Sequence, residues 1–172
     1  MPVSEHALQT LLLSKAADLE RAMAALQDAE AKQQRLKSNH PQVYDEAFHA
    51  AGIAQHIQGI YTQLESLLKQ VIEQTDGKLP KSETWHQDLI LLASMPTEDR
   101  SPLIDAAGAR SLKSVLGFRH VARSNYVGEL DPARVFEHIP NADAAVAAVI
   151  AGVRQLFEPP ATPTDRVAEG DV

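Results

Sequence analysis

Apolar side chains recur at steps of three and four along most of this chain, and nowhere do they alternate at period two over a β-branched run. Leu8, Leu12, Ala16, Leu19, Met23 and Leu26 form one such stripe, and Ile53, Ile57, Ile60, Leu64, Leu67 and Val71 form a second. Each is the mark of an amphipathic helix, and a sheet has no material to be built from. The chain therefore reads as all-α. A first helix is expected from about Ser4 to Leu36, a turn at Asn39-His40-Pro41, and a second helix ending at Asp76-Gly77, where glycine takes the left-handed position after the last turn.

The remaining helices are shorter. Thr84-Trp85-His86-Gln87 fits a capping box, opening a third helix that carries Trp85, Leu89 and Leu92 and closes at Met95-Pro96. Ser101-Pro102 has the form of an N-cap and first helical residue, Gly108 interrupts that turn, and a fourth helix runs from about Ala109 to Tyr126. Asp131-Pro132 repeats the cap-plus-proline pattern for a short fifth segment ending at Pro140. Val146, Val149, Ile150, Val153 and Leu156 mark a last helix from Ala142 to Phe157, stopped by Pro159, Pro160 and Pro163. The expectation is an up-and-down bundle of four to five main helices, one domain over residues 1–158, and a disordered tail over 159–172.

Composition narrows the chemistry. A chain of 172 residues without cysteine has no disulfide, thiolate zinc site, iron–sulfur cluster or thiol nucleophile. A net charge of −7 argues against general coating of nucleic acid or adhesion to anionic membrane, and no stretch approaches the roughly 18 apolar residues of a membrane span. A soluble cytoplasmic protein, with no membrane association, is expected.

One segment runs against the overall charge. From Arg110 to Arg134 five basic residues (Arg110, Lys113, Arg119, Arg123, Arg134) face two acidic ones (Glu129, Asp131), a local excess of three positive charges. On a helical wheel Arg119, Arg123 and Tyr126 continue the line of Leu112 and Leu116, so an apolar stripe turns into an arginine stripe. Periodicity alone favours arginines that snorkel at a bundle edge and pair with surface carboxylates. The alternative is a pair that binds phosphate or stabilises an oxyanion, because guanidinium forks match phosphate and stay charged. Gly117 costs about 1 kcal/mol relative to alanine inside a helix, which the close approach of another backbone would offset. His120 lies beside Arg119, with Ser124 one turn further, and is either a half-buried surface histidine or an acid–base group for phosphodiester cleavage.

The run Phe118-Arg119-His120-Val121-Ala122-Arg123-Ser124-Asn125-Tyr126, followed by Gly128-Glu129-Leu130-Asp131, resembles the signature of HepT-like proteins of the HEPN superfamily. Tyr61-x-x-Leu64-Glu65 and Trp85-His86 agree with it, and the similarity spans about Ser4 to Phe157. The resemblance implies a helical bundle that dimerises across a cleft carrying two Arg-x4-6-His motifs. It also implies a metal-independent endoribonuclease toxin without cofactor, partnered by an MntA-like nucleotidyltransferase antitoxin that transfers AMP to a tyrosine. Carried over, Arg119 is the motif arginine, Tyr126 the modified tyrosine, and Gly117, Arg119 and Arg123 lie at the homodimer interface. The motif histidine is replaced by Ser124, whose hydroxyl does not act as an acid or base near neutrality without an activating partner. His120 and Arg123 complete the candidate catalytic set with Arg119 and Ser124.

Two other classes remain open on sequence alone. One is a non-catalytic helical module that binds RNA, a nucleotide or a protein. The other is a di-metal carboxylate bundle, since Glu46-Ala47-Phe48-His49 and Glu83-Thr84-Trp85-His86 both read Glu-x-x-His.

Overall fold

In the computed structural model, which describes residues 5–98, 100–124 and 130–157, six α-helices follow one another: α1 Glu5–Asn39, α2 Glu46–Asp76, α3 Trp85–Ala93, α4 Ala106–Ser124, α5 Pro132–Glu137 and α6 Ile139–Gln155. The protein is an all-α bundle, without strands among the described residues. A 3-10 turn at Pro41–Val43 reverses the chain between α1 and α2, so the two longest helices form a hairpin. The Asp45 carboxylate caps α2 by accepting from the Phe48 N–H at 3.0 Å, and Gly77, at φ +70°, ends it. The expected tail over 159–172 lies outside the described residues.

α2 is the hub, in contact with α1, α3, α4, α5 and α6. Its buried residues, from Ala50 through Ile53, Ile57, Ile60, Leu64, Leu67 and Val71 to Ile72, occupy an arc of about 140° on the wheel, wide enough for several neighbours. The α1 stripe meets it as expected, with Leu12, Ala16, Leu19, Met23 and Leu26 buried and Leu8 partly so.

Two helix starts differ from the sequence expectation, and α3 begins after Thr84 as expected but without the expected cap. Thr84 makes no side-chain cap. Its hydroxyl sits 3.2 Å from that of Ser82, and it is Ser82 whose hydroxyl donates to Asp88 and whose carbonyl accepts from the Trp85 N–H. Ser101-Pro102 starts no helix, because the Leu103 and Ile104 N–H groups both bond the Ala93 carbonyl and pin this segment to the end of α3. α4 opens instead beside Asp105, whose carboxylate accepts from the Gly108 N–H at 2.7 Å, so Gly108 lies within the helix. α6 begins at Ile139 with Pro140 in its first turn, where the missing N–H would have had no helical partner.

Two devices hold the α3–α4 connection in place. Leu103 lies so close to α6 that a Cβ on Gly152 would come 1.8 Å from its carbonyl oxygen. The Arg100 guanidinium, its side chain 1% exposed, bonds both Asp76 carboxylate oxygens (2.9 and 2.7 Å), the Thr75 hydroxyl and the carbonyls of Leu92, Met95 and Ser101. Burial alone would raise the Asp76 pKa, but the hydrogen bonds from Arg100 and Thr75, with the Arg100 charge, outweigh it and hold the carboxyl below its usual range.

Gly152→Ala is expected to destabilise the fold by at least about 2 kcal/mol through overpacking, read as a lower urea midpoint. Asp76→Asn is expected to cost about 3 kcal/mol by leaving Arg100 buried without its counter-ion. Because the folded Asp76 pKa is depressed, its contribution is present above the unfolded carboxylate pKa and is lost as pH falls through the folded one. Urea melts across that acidic window should show the native–variant gap closing as pH drops. A gap that stays constant would remove the charge from the account.

Candidate active site

α4 is fixed by Leu112, Val115, Leu116, Phe118 and Ala122, all buried. Continuing the Leu112–Leu116 line, Arg119 is carried inward until its guanidinium carbon stands 5.3 Å from the centre of the Tyr61 ring, a cation–π contact on α2. Tyr61 is fully buried. Burial and the negative charge of Glu65 push its hydroxyl pKa up, against the smaller opposing effect of Arg119, so the ring facing the guanidinium is the neutral phenol. Among the described residues neither Arg119 nor Arg123 forms an ion pair with a carboxylate, so the expected surface pairing is not made there. Arg119 is half-buried and Arg123 exposed.

One turn past Tyr61 on α2 stands Glu65, with a side chain only 11% exposed. One carboxylate oxygen lies 2.6 Å from His86 Nδ1 at the start of α3, and the other 3.4 Å from Lys69 Nζ. The Lys69 ammonium also rests 3.6 Å from the centre of the Trp85 ring, and the Trp85 and His86 rings stack with centres 3.6 Å apart. The His120 imidazole of α4 completes the corner, edge-on to that of His86 with centres 6.1 Å apart. Two histidines, an oriented carboxylate and a guanidinium without a carboxylate partner among the described residues are thus gathered where α2, α3 and α4 meet. Such a set is able to take up and release protons beside a bound anion.

The other sequence candidates lie elsewhere. The Ser124 hydroxyl donates back to the His120 and Val121 carbonyls, each at 3.0 Å, and so caps its own helix. Gly117 is exposed, and a Cβ there would meet nothing within 4 Å, so no other element among the described residues approaches it. Two residues from Arg119, it points about 160° away on the wheel, and the two do not share one face. Gly117 lines a groove of about 440 Å³ with Lys113, Phe118, Val121, Arg134 and His138. His138 there stacks at a tilt on Phe118, and burial lowers its pKa. Tyr126 lies outside the described residues.

The two Glu-x-x-His pairs do not converge. His49 stacks on Tyr44, Glu46 bonds Lys37 at 2.8 Å, and about 24 Å of α2 separates His49 from Glu65, to which His86 is bonded. No group of three or more His, Asp or Glu suited to a metal ion occurs among the described residues. No helix among them is long and apolar enough to cross a membrane.

The profile of the HepT-like protein family matches residues 52–158, more than half of the chain and all of α3, α4, α5 and α6. The chain belongs to the HepT-like family. No curated protein and no solved structure matches it. In this HepT-like protein the segments that first resembled the family by sequence, Tyr61 to Glu65, Trp85-His86 and Arg119-His120, form one spatial cluster. Tyr61, Glu65 and His86 were not among the site residues expected from sequence. A signal was present in the placement of Tyr61, Glu65 and Lys69 four residues apart at the edge of the α2 apolar arc, where polar groups meet the core without water on every side.

The Glu65 contact commits His86 Nδ1 to carry a proton. Long-range ¹H–¹⁵N spectra recorded above the imidazole titration range are expected to show neutral His86 as the Nδ1–H tautomer, and a mixture in Glu65→Ala. An Nε2–H tautomer in the native protein would contradict the geometry.

Proposed function

We propose that this HepT-like protein is a toxin-type endoribonuclease that cleaves RNA without a metal ion. The observation that carries the reading is Arg119, which rests on the Tyr61 ring and has no carboxylate partner among the described residues, one residue from a histidine that faces a second histidine. The RNA 2′-hydroxyl oxygen attacks the adjacent phosphorus, the bond to the 5′-oxygen breaks, and a cyclic phosphate and a 5′-hydroxyl result. Arg119, with Arg123 at the exposed helix end, offsets the charge that develops on the phosphate oxygens. His120 is the proton-transfer group on α4, since Ser124 stands in the motif position and its hydroxyl is bonded to the backbone.

The same reading includes regulation. A nucleotidyltransferase antitoxin would transfer AMP from ATP to the Tyr126 phenol oxygen, releasing pyrophosphate and the phenol proton and bringing a phosphodiester anion to the arginines that RNA phosphates require. Two copies would pair through the exposed side of α4 around Gly117 and Val121, and sedimentation would then give twice the 18.7 kDa of the chain.

Purified protein in EDTA is expected to convert RNA into fragments ending in cyclic phosphate, and Arg119→Ala to slow this about 100-fold or more. Intact RNA with both the native chain and Ser124→His would end the nuclease assignment. Cleavage gained only in Ser124→His would show a nuclease disabled at that position. With an active partner enzyme and ATP, mass spectrometry should find AMP on Tyr126, and Tyr126→Phe should abolish it.

A further inference from the structure

Resting on the nuclease reading, we propose that His86, oriented by Glu65, is the second acid–base residue of the site, and that the His86–His120 pair across α3 and α4 fills the role that Ser124 leaves vacant. Phosphodiester cleavage through a cyclic phosphate needs a proton removed from the attacking 2′-hydroxyl and a proton delivered to the departing 5′-oxygen. A single His120 serves only one of these at a time.

The geometry supplies the other. His86 Nδ1 is bound to Glu65 at 2.6 Å, which leaves Nε2 as its only nitrogen for proton exchange. Stacking on Trp85, itself under the Lys69 ammonium, limits rotation of the ring. The two imidazole centres are 6.1 Å apart and nearly perpendicular. With ring atoms about 1.2 Å from each centre, the nearest atoms of the two rings are roughly 3.7 Å or more apart, beyond a direct hydrogen bond. An oxygen of water or of a phosphate that bonds one nitrogen of each ring at about 2.8 Å needs the two nitrogens within about 5.6 Å of each other, which ring centres 6.1 Å apart allow. The two imidazoles are thus kept apart at a spacing suited to groups on either side of a reacting phosphate.

The surroundings assign the roles. A carboxylate behind an imidazole stabilises the imidazolium that forms when the ring accepts a proton. His86 therefore takes the 2′-hydroxyl proton as that oxygen bonds phosphorus. His120, exposed and next in the chain to Arg119, gives its proton to the 5′-oxygen as the phosphorus–oxygen bond breaks. Proton exchange with solvent restores both rings. The charged and titratable groups around His86 are Glu65 and Lys69 on α2 and Arg119 and His120 on α4, with Asp88 on its own helix engaged by Ser82.

The test is the pH profile of RNA cleavage in EDTA by the native chain, His86→Asn, His120→Asn and Glu65→Gln, each first shown by circular dichroism to melt cooperatively. The native profile should be bell-shaped. His86→Asn should lose about 100-fold or more and its acidic limb alone, and His120→Asn its alkaline limb alone. Glu65→Gln, which keeps a hydrogen-bonding group at the same place, should lower the rate by about tenfold or more and displace only the acidic limb. Full activity in His86→Asn, or a loss of rate with both limbs retained, would overturn this proposal and leave the nuclease reading standing. An inactive native chain with an active Ser124→His would overturn it as well, since the pair would then not replace the motif histidine. Inactivity of both proteins would overturn the nuclease reading itself.

Discussion

Burial of one broad face of α2 is the interaction on which the rest of the structure depends. Ile53, Ile57, Ile60, Leu64, Leu67, Val71 and Ile72 are each almost wholly removed from solvent, and each such side chain contributes on the order of 1.5–3 kcal/mol. No single neighbour covers an arc of about 140°, so α1, α3, α4, α5 and α6 all pack on the same helix. The position of every other element is then set by where it meets α2, and the lengths of the connections decide the order.

The candidate site lies at the rim of that arc. On the line Ile53, Ile57, Tyr61 the side chains are buried, whereas Glu65 one turn on and Lys69 another are only half-buried, so along that line α2 passes from the core toward solvent. Groups placed there are dry enough for charge and hydrogen bonding to be strong, and open enough for an anion to reach them. α3 contributes His86 to this rim, and α4 contributes Arg119 and His120. The Arg100–Asp76 bridge, together with the contact of Leu103 on Gly152, secures the connection that sets α3 and α4 side by side. Arg100 thus has its carboxylate, whereas Arg119 has none among the described residues.

Helical class and the stripes of α1, α2 and α6 were legible in the sequence because each rests on a repeat carried by one element. The site was legible only in part. Arg119 and His120 stood out through the change from apolar to basic along α4, whereas Glu65 and His86 are 21 residues apart and become partners only through the packing of α3 on α2. Local patterns also misled where tertiary contacts compete: Ser101-Pro102 has the chemistry of a helix start, yet two hydrogen bonds to the Ala93 carbonyl take that segment elsewhere. Gly117 looked like a point of close approach, which the described residues of this chain do not supply.

On the proposed reading, the corner of α2, α3 and α4 receives the RNA phosphate between His86 and His120. Its most direct test is to follow the side-chain imidazole signals of the full-length protein by NMR while adding an RNA oligomer with 2′-deoxy substitution, which binds without being cut. Saturable shifts of His86 and His120 together, with His49 and His138 unmoved, are the result the account predicts. Saturable binding that leaves His86 and His120 unchanged, or that moves His138 in the outer groove instead, would contradict it.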